Sequence, residues 1–222
     1  MTRFARVMLE DWPFHITHRG NHRNCVFRND DDRRAYLELL DRSATKFGML
    51  IWAYCLMGNH VHLIAVGKQR SSISKAMGNT HRACSRSRNR ETGVTGHLWA
   101  NRFFSTPLDE PHLWAAVRYV ELNPVRARLV GEATDYPWSS ARAHNGFQAN
   151  PVLDPERPFP GPIGGWAAWL GAGLEEQTAK RLRVNTSTGR PTGSDSFVRE
   201  LEVRLGRQLR PRKRGPKKRE SR

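Results

Sequence analysis

A chain of 222 residues is long enough to bury the core of one ordinary domain and to carry an appendage. Its 37 lysines and arginines against 21 acids give a formal net charge of +16, a field that draws polyanions, with nucleic acid favoured over an anionic membrane surface. Cys25, Cys55 and Cys84 form no CxxC pair, and no apolar run approaches the roughly 18 residues of a membrane span or resembles a signal peptide, so disulfide, cysteine-zinc and membrane classes are excluded and a cytoplasmic protein is expected.

Residues 14–19 read as a strand and residues 30–47 as a helix opened by Asp30, Asp31 and Asp32, whose charges suit a helix N-terminus. Two apolar runs, residues 50–57 and 60–66, flank Gly58-Asn59, the pattern of a hairpin with a two-residue, glycine-first turn. Over residues 72–88, Ile73, Ala76, Met77, Ala83 and Cys84 recur at helical spacing with Lys75, Arg82, Arg86 and Arg88 around them, which predicts a basic-faced helix. A strand over residues 98–105 and a helix from about 111 to 122 follow, the helix stopping because Asn123 precedes Pro124 and pre-proline residues disfavour α geometry. The order βαββαβα predicts an α+β fold, an antiparallel sheet with helices on one side.

Prolines 151, 155, 158, 160 and 162 then recur among glycines with no surviving period, the composition of an extended connection. Residues 1–145 are therefore expected to form the main domain, 146–165 a connection and 166–206 a short helical region. Within the last, Ser194 or Asp195 can cap a helix with Phe197, Val198, Leu201 and Leu205 as its apolar stripe and Gly206 at its end. Residues 207–222 hold nine Lys/Arg and one Glu, too little apolar content to fold alone, and Arg212, Lys213, Arg214, Lys217 and Lys218 are candidate phosphate contacts.

His60 and His62, two apart in a strand, project from one face. On spacing alone, two ligands of one metal and two satisfied histidines remain equally open. In the helix after them, Leu113, Ala116, Val117 and Val120 form the buried stripe, with Tyr119 and Asn123 one turn apart along its edge. By itself that pair is equally a core tyrosine and a helix-capping asparagine.

The segments ITHRGNHRNCVF, YCLMGNHVHLIAV, HLWANRFFS, RYVELNPVRARLV, YPWSS and TGRPTGSDSF resemble, in order and over nearly the whole chain, the REP-associated tyrosine transposases, relatives of the small HUH insertion-sequence transposases. The resemblance implies a ferredoxin-like fold in which His60 and His62 are metal ligands, Asn123 is the third ligand and Tyr119 is the nucleophile. It implies a bacterial, nucleoid-associated enzyme that cleaves and rejoins single-stranded DNA beside a palindromic hairpin through a 5′-phosphotyrosine. The family's metal is Mg2+ or Mn2+, whereas imidazole ligands alone point to zinc or manganese. Arg19, Arg102 and the basic helix, with Arg82 and Arg86, are further candidate phosphate contacts; Trp99 and Trp138 read as packing residues, and the other histidines have no partner spacing. Two rivals stand beside this reading: a palindrome-binding protein with a vestigial site, and a metal-dependent hydrolase with a water nucleophile. Monomer and homodimer are both compatible with the sequence.

Overall fold

The computed structural model describes residues 5–158 and 165–210. Strands β1 (Pro13–Arg19), β2 (Met49–Met57), β3 (His60–Gly67) and β4 (Phe104–Pro107) form one antiparallel sheet in the order β2-β3-β1-β4. Helix α1 (Asp30–Phe47) links β1 to β2 and α2 (Ser72–Thr92) links β3 to β4, each crossing a strand that lies between, so the expected ferredoxin-like topology is present. The start of α1 is fixed by Asn29, whose side chain accepts from the Asp32 amide, a capping bond that satisfies one of the first-turn donors.

Side chains alternate across a strand, and here both faces of the sheet are apolar. Phe14, Ile16, Val61, Leu63 and Ala65 pack with Leu40, Ile73 and Met77 under α1 and α2. Ala53, Cys55, Met57 and Ile64 pack on the opposite face with Leu113, Val117 and Val120 of α3 (Glu110–Glu121). Helices on one side of the sheet therefore describe α1 and α2 only. α3 and the C-terminal helices cover the other face, because the nearly continuous apolar run of β3 leaves two faces to bury.

Two local expectations are corrected and a third holds. The strand expected over residues 98–105 begins only at Phe104, since Asn101 takes φ +44 and a left-handed residue breaks the pleat. The chain does not leave helical geometry at Asn123: it kinks at Leu122 and re-enters α4 (Asn123–Arg126), with Pro124 in the first turn, where its missing N–H leaves no bond unmade. The Gly58-Asn59 turn joins β2 to β3 as expected, and it is held from outside. Gly58 accepts from the Val26 and Phe27 amides and Asn59 from the Gly20 amide.

After α5 (Ala141–His144), the helices α6 (Trp166–Gly171), α7 (Glu176–Thr188) and α8 (Asp195–Leu205) complete the fold. α8 is capped by Ser194 and ended by Gly206 at φ +61, as the sequence indicates. Its Phe197, Val198 and Leu201 join the core under α1 and α2, and Trp166, Leu170, Ala179 and Leu182 join the core under α3. Residues 166–206 are thus built into both cores rather than appended to a domain that ends at residue 145. The docked chain also runs past Gly206: Leu209 is 0% exposed, and the Leu209 and Arg210 amides donate to Glu202. Arg212, Lys213, Arg214, Lys217 and Lys218 lie outside the described residues.

Candidate active site

Register decides which polar side chains meet. β1 pairs with β3 so that Arg19 faces His60 and Thr17 faces His62, and directly opposed residues share a face. The stripe His15, Thr17, Arg19 of β1 therefore lies beside His60 and His62. His60 Nδ1 is 2.6 Å from Asn59 Oδ1, whose amide nitrogen is already committed to the Arg23 carbonyl. The oxygen can only accept, so the His60 proton sits on Nδ1 and the Nε2 lone pair is free. His62 Nδ1 is 2.9 Å from His15 Nε2, and His15 Nδ1 is 2.8 Å from Thr186 Oγ1. If His62 donates to His15 and His15 to Thr186, the His62 Nε2 lone pair is also left unshared, the pattern by which outer partners fix a metal-binding tautomer.

All three rings are held neutral. Burial, then Arg126, lowers His15 to about 3; burial, then Arg19, lowers His60 to about 4; burial, with His15, His60, Arg126 and Arg19, pushes His62 well below the ordinary imidazole value. Neutral imidazoles with free lone pairs are the ligand form a divalent cation needs, so these residues fit one. Among the described residues no three His, Cys, Asp or Glu side chains gather as a metal cluster; the donor set is two imidazoles and the neighbouring amide of Asn123.

α3 presents Tyr119 to the same face. Asp109 caps the helix by accepting from the His112 amide, and Leu113, Ala116, Val117 and Val120 seat it on the sheet. The phenol ring is 5% exposed and stands edge-on to His62 and His15, with ring centroids 5.8 and 5.6 Å away. Burial raises its pKa, while Arg126, Arg183 and Arg19 oppose the rise. The Asn123 amide nitrogen donates to the Tyr119 and Val120 carbonyls, and its Oδ1 accepts from Arg126 Nη2 at 2.9 Å.

Arg126, which the sequence reading did not single out, lies with Cζ 3.9 Å from the Tyr119 ring centroid and donates Nη1 to the Tyr119 carbonyl. It binds the nucleophile candidate and the third-ligand candidate into one unit. Across from them α7 contributes Glu176, Arg183 and Thr186 to a cavity of about 700 Å³ that also holds His60, His62, Tyr119 and Arg19. Its one acid, Glu176, pairs with Arg183 at 2.5 Å, leaving Arg19 and Arg126 to make the site electropositive.

His15 had a legible signal, the period-2 stripe His15, Thr17, Arg19, whereas Arg126 and α7 had none that local pattern carries. Of the remaining sequence candidates, Arg82 and Arg102 line a second cavity on the α2 side of the sheet, and Arg86 stands exposed on α2. Trp99 is buried and Trp138 packs against both cores.

An antiparallel sheet thus carries two neutral histidines opposite a helical tyrosine in one cavity. The IS200-like transposase family model matches residues 9–123, half of the chain and all of these groups except Arg126 and those of α7. The chain belongs to that family, and its work is transposase-type DNA processing. Eight solved chains resemble the fold. One is a REP-associated tyrosine transposase bound to a REP hairpin, similar at 17% identity and TM-score 0.54 over 72% of this chain and 98% of the other. A protein of Deinococcus radiodurans R1, provisionally named a transposase, aligns at 16% identity and TM-score 0.38 over 58% and 92%. No curated protein matches the chain in sequence. Among the described residues no helix is long and apolar enough to cross a membrane.

Proposed function

We propose that this protein is a DNA strand transferase of the REP-associated type, cutting and rejoining single-stranded DNA next to a palindromic hairpin through Tyr119. The observation that carries the reading is the approach of the Tyr119 ring to His62 and His15 inside one electropositive cavity. The phenol oxygen attacks the phosphorus of a bound phosphodiester. As the O–P bond to tyrosine forms, the bond from phosphorus to the 3′ oxygen breaks; the phenol proton is released and the 3′ oxygen leaves as a hydroxyl. The phosphoryl group remains joined to Tyr119 and to the 5′ oxygen of the downstream strand. A second 3′ hydroxyl then reverses the exchange and frees the phenol, with no net change in the number of ester bonds.

His60 and His62 would hold a divalent cation, Mg2+ or Mn2+, with Asn123 as the proposed third ligand. That cation, when bound, supplies Lewis-acid neutralisation of the charge that gathers on the non-bridging oxygens. The chain's own part is to position the phenol, to hold both imidazoles neutral, and to place Arg19 and Arg126 where a phosphate enters.

The test is incubation with hairpin-bearing single-stranded DNA and Mg2+ or Mn2+, followed by a denaturing gel. Intact protein should give a covalent protein–DNA adduct. Tyr119→Phe should give none while binding the hairpin nearly as well, because the ring still packs and only the oxygen is gone. Cleavage by the Phe variant would show a water nucleophile and establish the hydrolase reading instead.

A further inference from the structure

The catalytic cavity does not end at Tyr119. It shares Phe104 with a shallow groove across the outer edge of β4, and that groove shares Arg6, Arg102 and Phe103 with the second cavity, about 430 Å³, on the opposite face of the sheet. β4 is the last strand of the sheet; Thr192 bonds its Pro107 end, and the place where a chain can pass around it is its Phe104 end, where the groove runs beside Ser187, Thr188 and Gly189. At the turn of this path Phe104 is 47% exposed, opposite Thr17. An aromatic ring left half in water beside an active-site cavity is available for stacking.

The far cavity is built for an anion. Arg6, Arg82 and Arg102 line it, and neither it nor the groove has an acid among its lining residues. Among the described residues none of the three arginines forms an ion pair. Arg6 is fixed in place, its guanidinium 3.7 Å over the Phe103 ring and donating to the Phe103 carbonyl and to Ser74. Burial, then Arg102, lowers its pKa to about 10. An independent feature points the same way. Gly78 lies inside α2 on the cavity wall, and a Cβ there would meet nothing closer than Arg82 Nη2 at 4.0 Å. Glycine in a helix interior costs roughly 1 kcal/mol against alanine, and here its effect is to keep the wall open.

We propose that this groove is the track of the single-stranded DNA flanking the scissile phosphodiester, Phe104 stacking a base at the sheet edge and the Arg6–Arg82–Arg102 cavity holding a backbone phosphate beyond it. The inference rests on the strand-transfer reading and adds where its substrate runs. Base stacking on an aromatic side chain combined with cationic phosphate contacts is the general mode of single-strand binding.

Binding of a fluorescent hairpin with a single-stranded flank is to be compared with that of the blunt hairpin, both in the Tyr119→Phe background without divalent metal. Phe104→Ala should weaken the flanked DNA by at least about fivefold. Arg82→Gln should reduce its log-log salt slope by about 0.7. Gly78→Leu should weaken it comparably to Phe104→Ala while melting at or above the parent temperature, since the helix gains propensity as the cavity fills. The blunt hairpin should be unaffected by all three. Equal losses on both DNAs, or no loss on the flanked one, would overturn the track. If intact protein forms the covalent adduct and the variants bind normally, the track alone fails. If no adduct forms but flank-specific losses appear, the groove stands as a single-strand site and the strand-transfer reading fails.

Discussion

Arg126 gives Tyr119, the proposed nucleophile, its surroundings. Burial alone would hold the Tyr119 phenol in its neutral form, and a guanidinium stacked 3.9 Å from the ring centroid is the strongest of the cations opposing that rise. Arg126→Met should therefore lower the single-turnover cleavage rate by about 100-fold, the scale of removing one preorganised charge-stabilising donor, and move the pH–rate profile to higher pH while hairpin affinity changes little. A parental rate and profile would show that the stacking is only packing. The same contacts rank the ligand candidates. His60 and His62 have free lone pairs, whereas Asn123 Oδ1 is engaged by Arg126. His60→Ala and His62→Ala should each abolish Mn2+-dependent cleavage in a metal titration, with Asn123→Ala keeping a measurable fraction; an active His62→Ala protein would end the metal assignment.

Among the elements, α3 is tied down by one buried carboxylate. Glu121, 0% exposed and two residues past Tyr119, accepts from His144 Nδ1 and Trp166 Nε1, each at 2.6 Å, and from the Ser140 hydroxyl. Two separate segments, α5 with its N-cap Ser140 and α6, thus clamp the helix that carries the phenol. Glu121→Ala should destabilise the fold by about 3 kcal/mol, because it leaves several buried donors without their acceptor, and a urea titration reads the loss directly; a change under about 1 kcal/mol would mean the clamp is not structural. None of this was legible in the sequence, where Glu121, His144 and Trp166 are unrelated residues. What was legible is local: the opening of α1 at Asp30, the Ser194-to-Gly206 span of α8, and the hairpin that sets His60 beside His62. α7 escaped notice because only Ala179, Leu182 and Thr186 of its residues are buried, too thin a stripe for periodicity to reveal. Its place comes from the cavity it walls, which exists only after the sheet has formed.

Across the whole molecule, the sheet carries buried histidines on both faces. On the α2 side the Tyr36 hydroxyl donates to His81 Nε2, His81 Nδ1 to His18 Nδ1, and His18 Nε2 to the Ala100 carbonyl, at 3.0, 2.8 and 2.9 Å, a chain of bonds that is complete only with both rings neutral. Burial lowers both imidazoles below 6.5, His81 well below it. The unfolded chain therefore takes up protons that the folded chain refuses, and the stability present above pH 6.5 is lost as the pH falls, by up to about 1.4 kcal/mol per unit for each ring. Thermal unfolding followed from about pH 7.5 to about pH 5.5 should show this decline, and His81→Gln should make it shallower; an unchanged slope would refute the neutral relay. Such pairings, like that of His15 with Thr186 171 positions away, are set by topology, so sequence spacing held no trace of them. That last distance also has a meaning in time. At about 5–20 residues per second, the ribosome needs roughly ten to thirty seconds between making His15 and making Thr186. Through that interval His15 can meet His62 but its Nδ1 lacks Thr186, and there is no α7 to wall the cavity. The cavity proposed to cut DNA is thus among the last parts of the molecule to be walled, and a fragment terminated before α7 would lack the Glu176, Arg183 and Thr186 side of it.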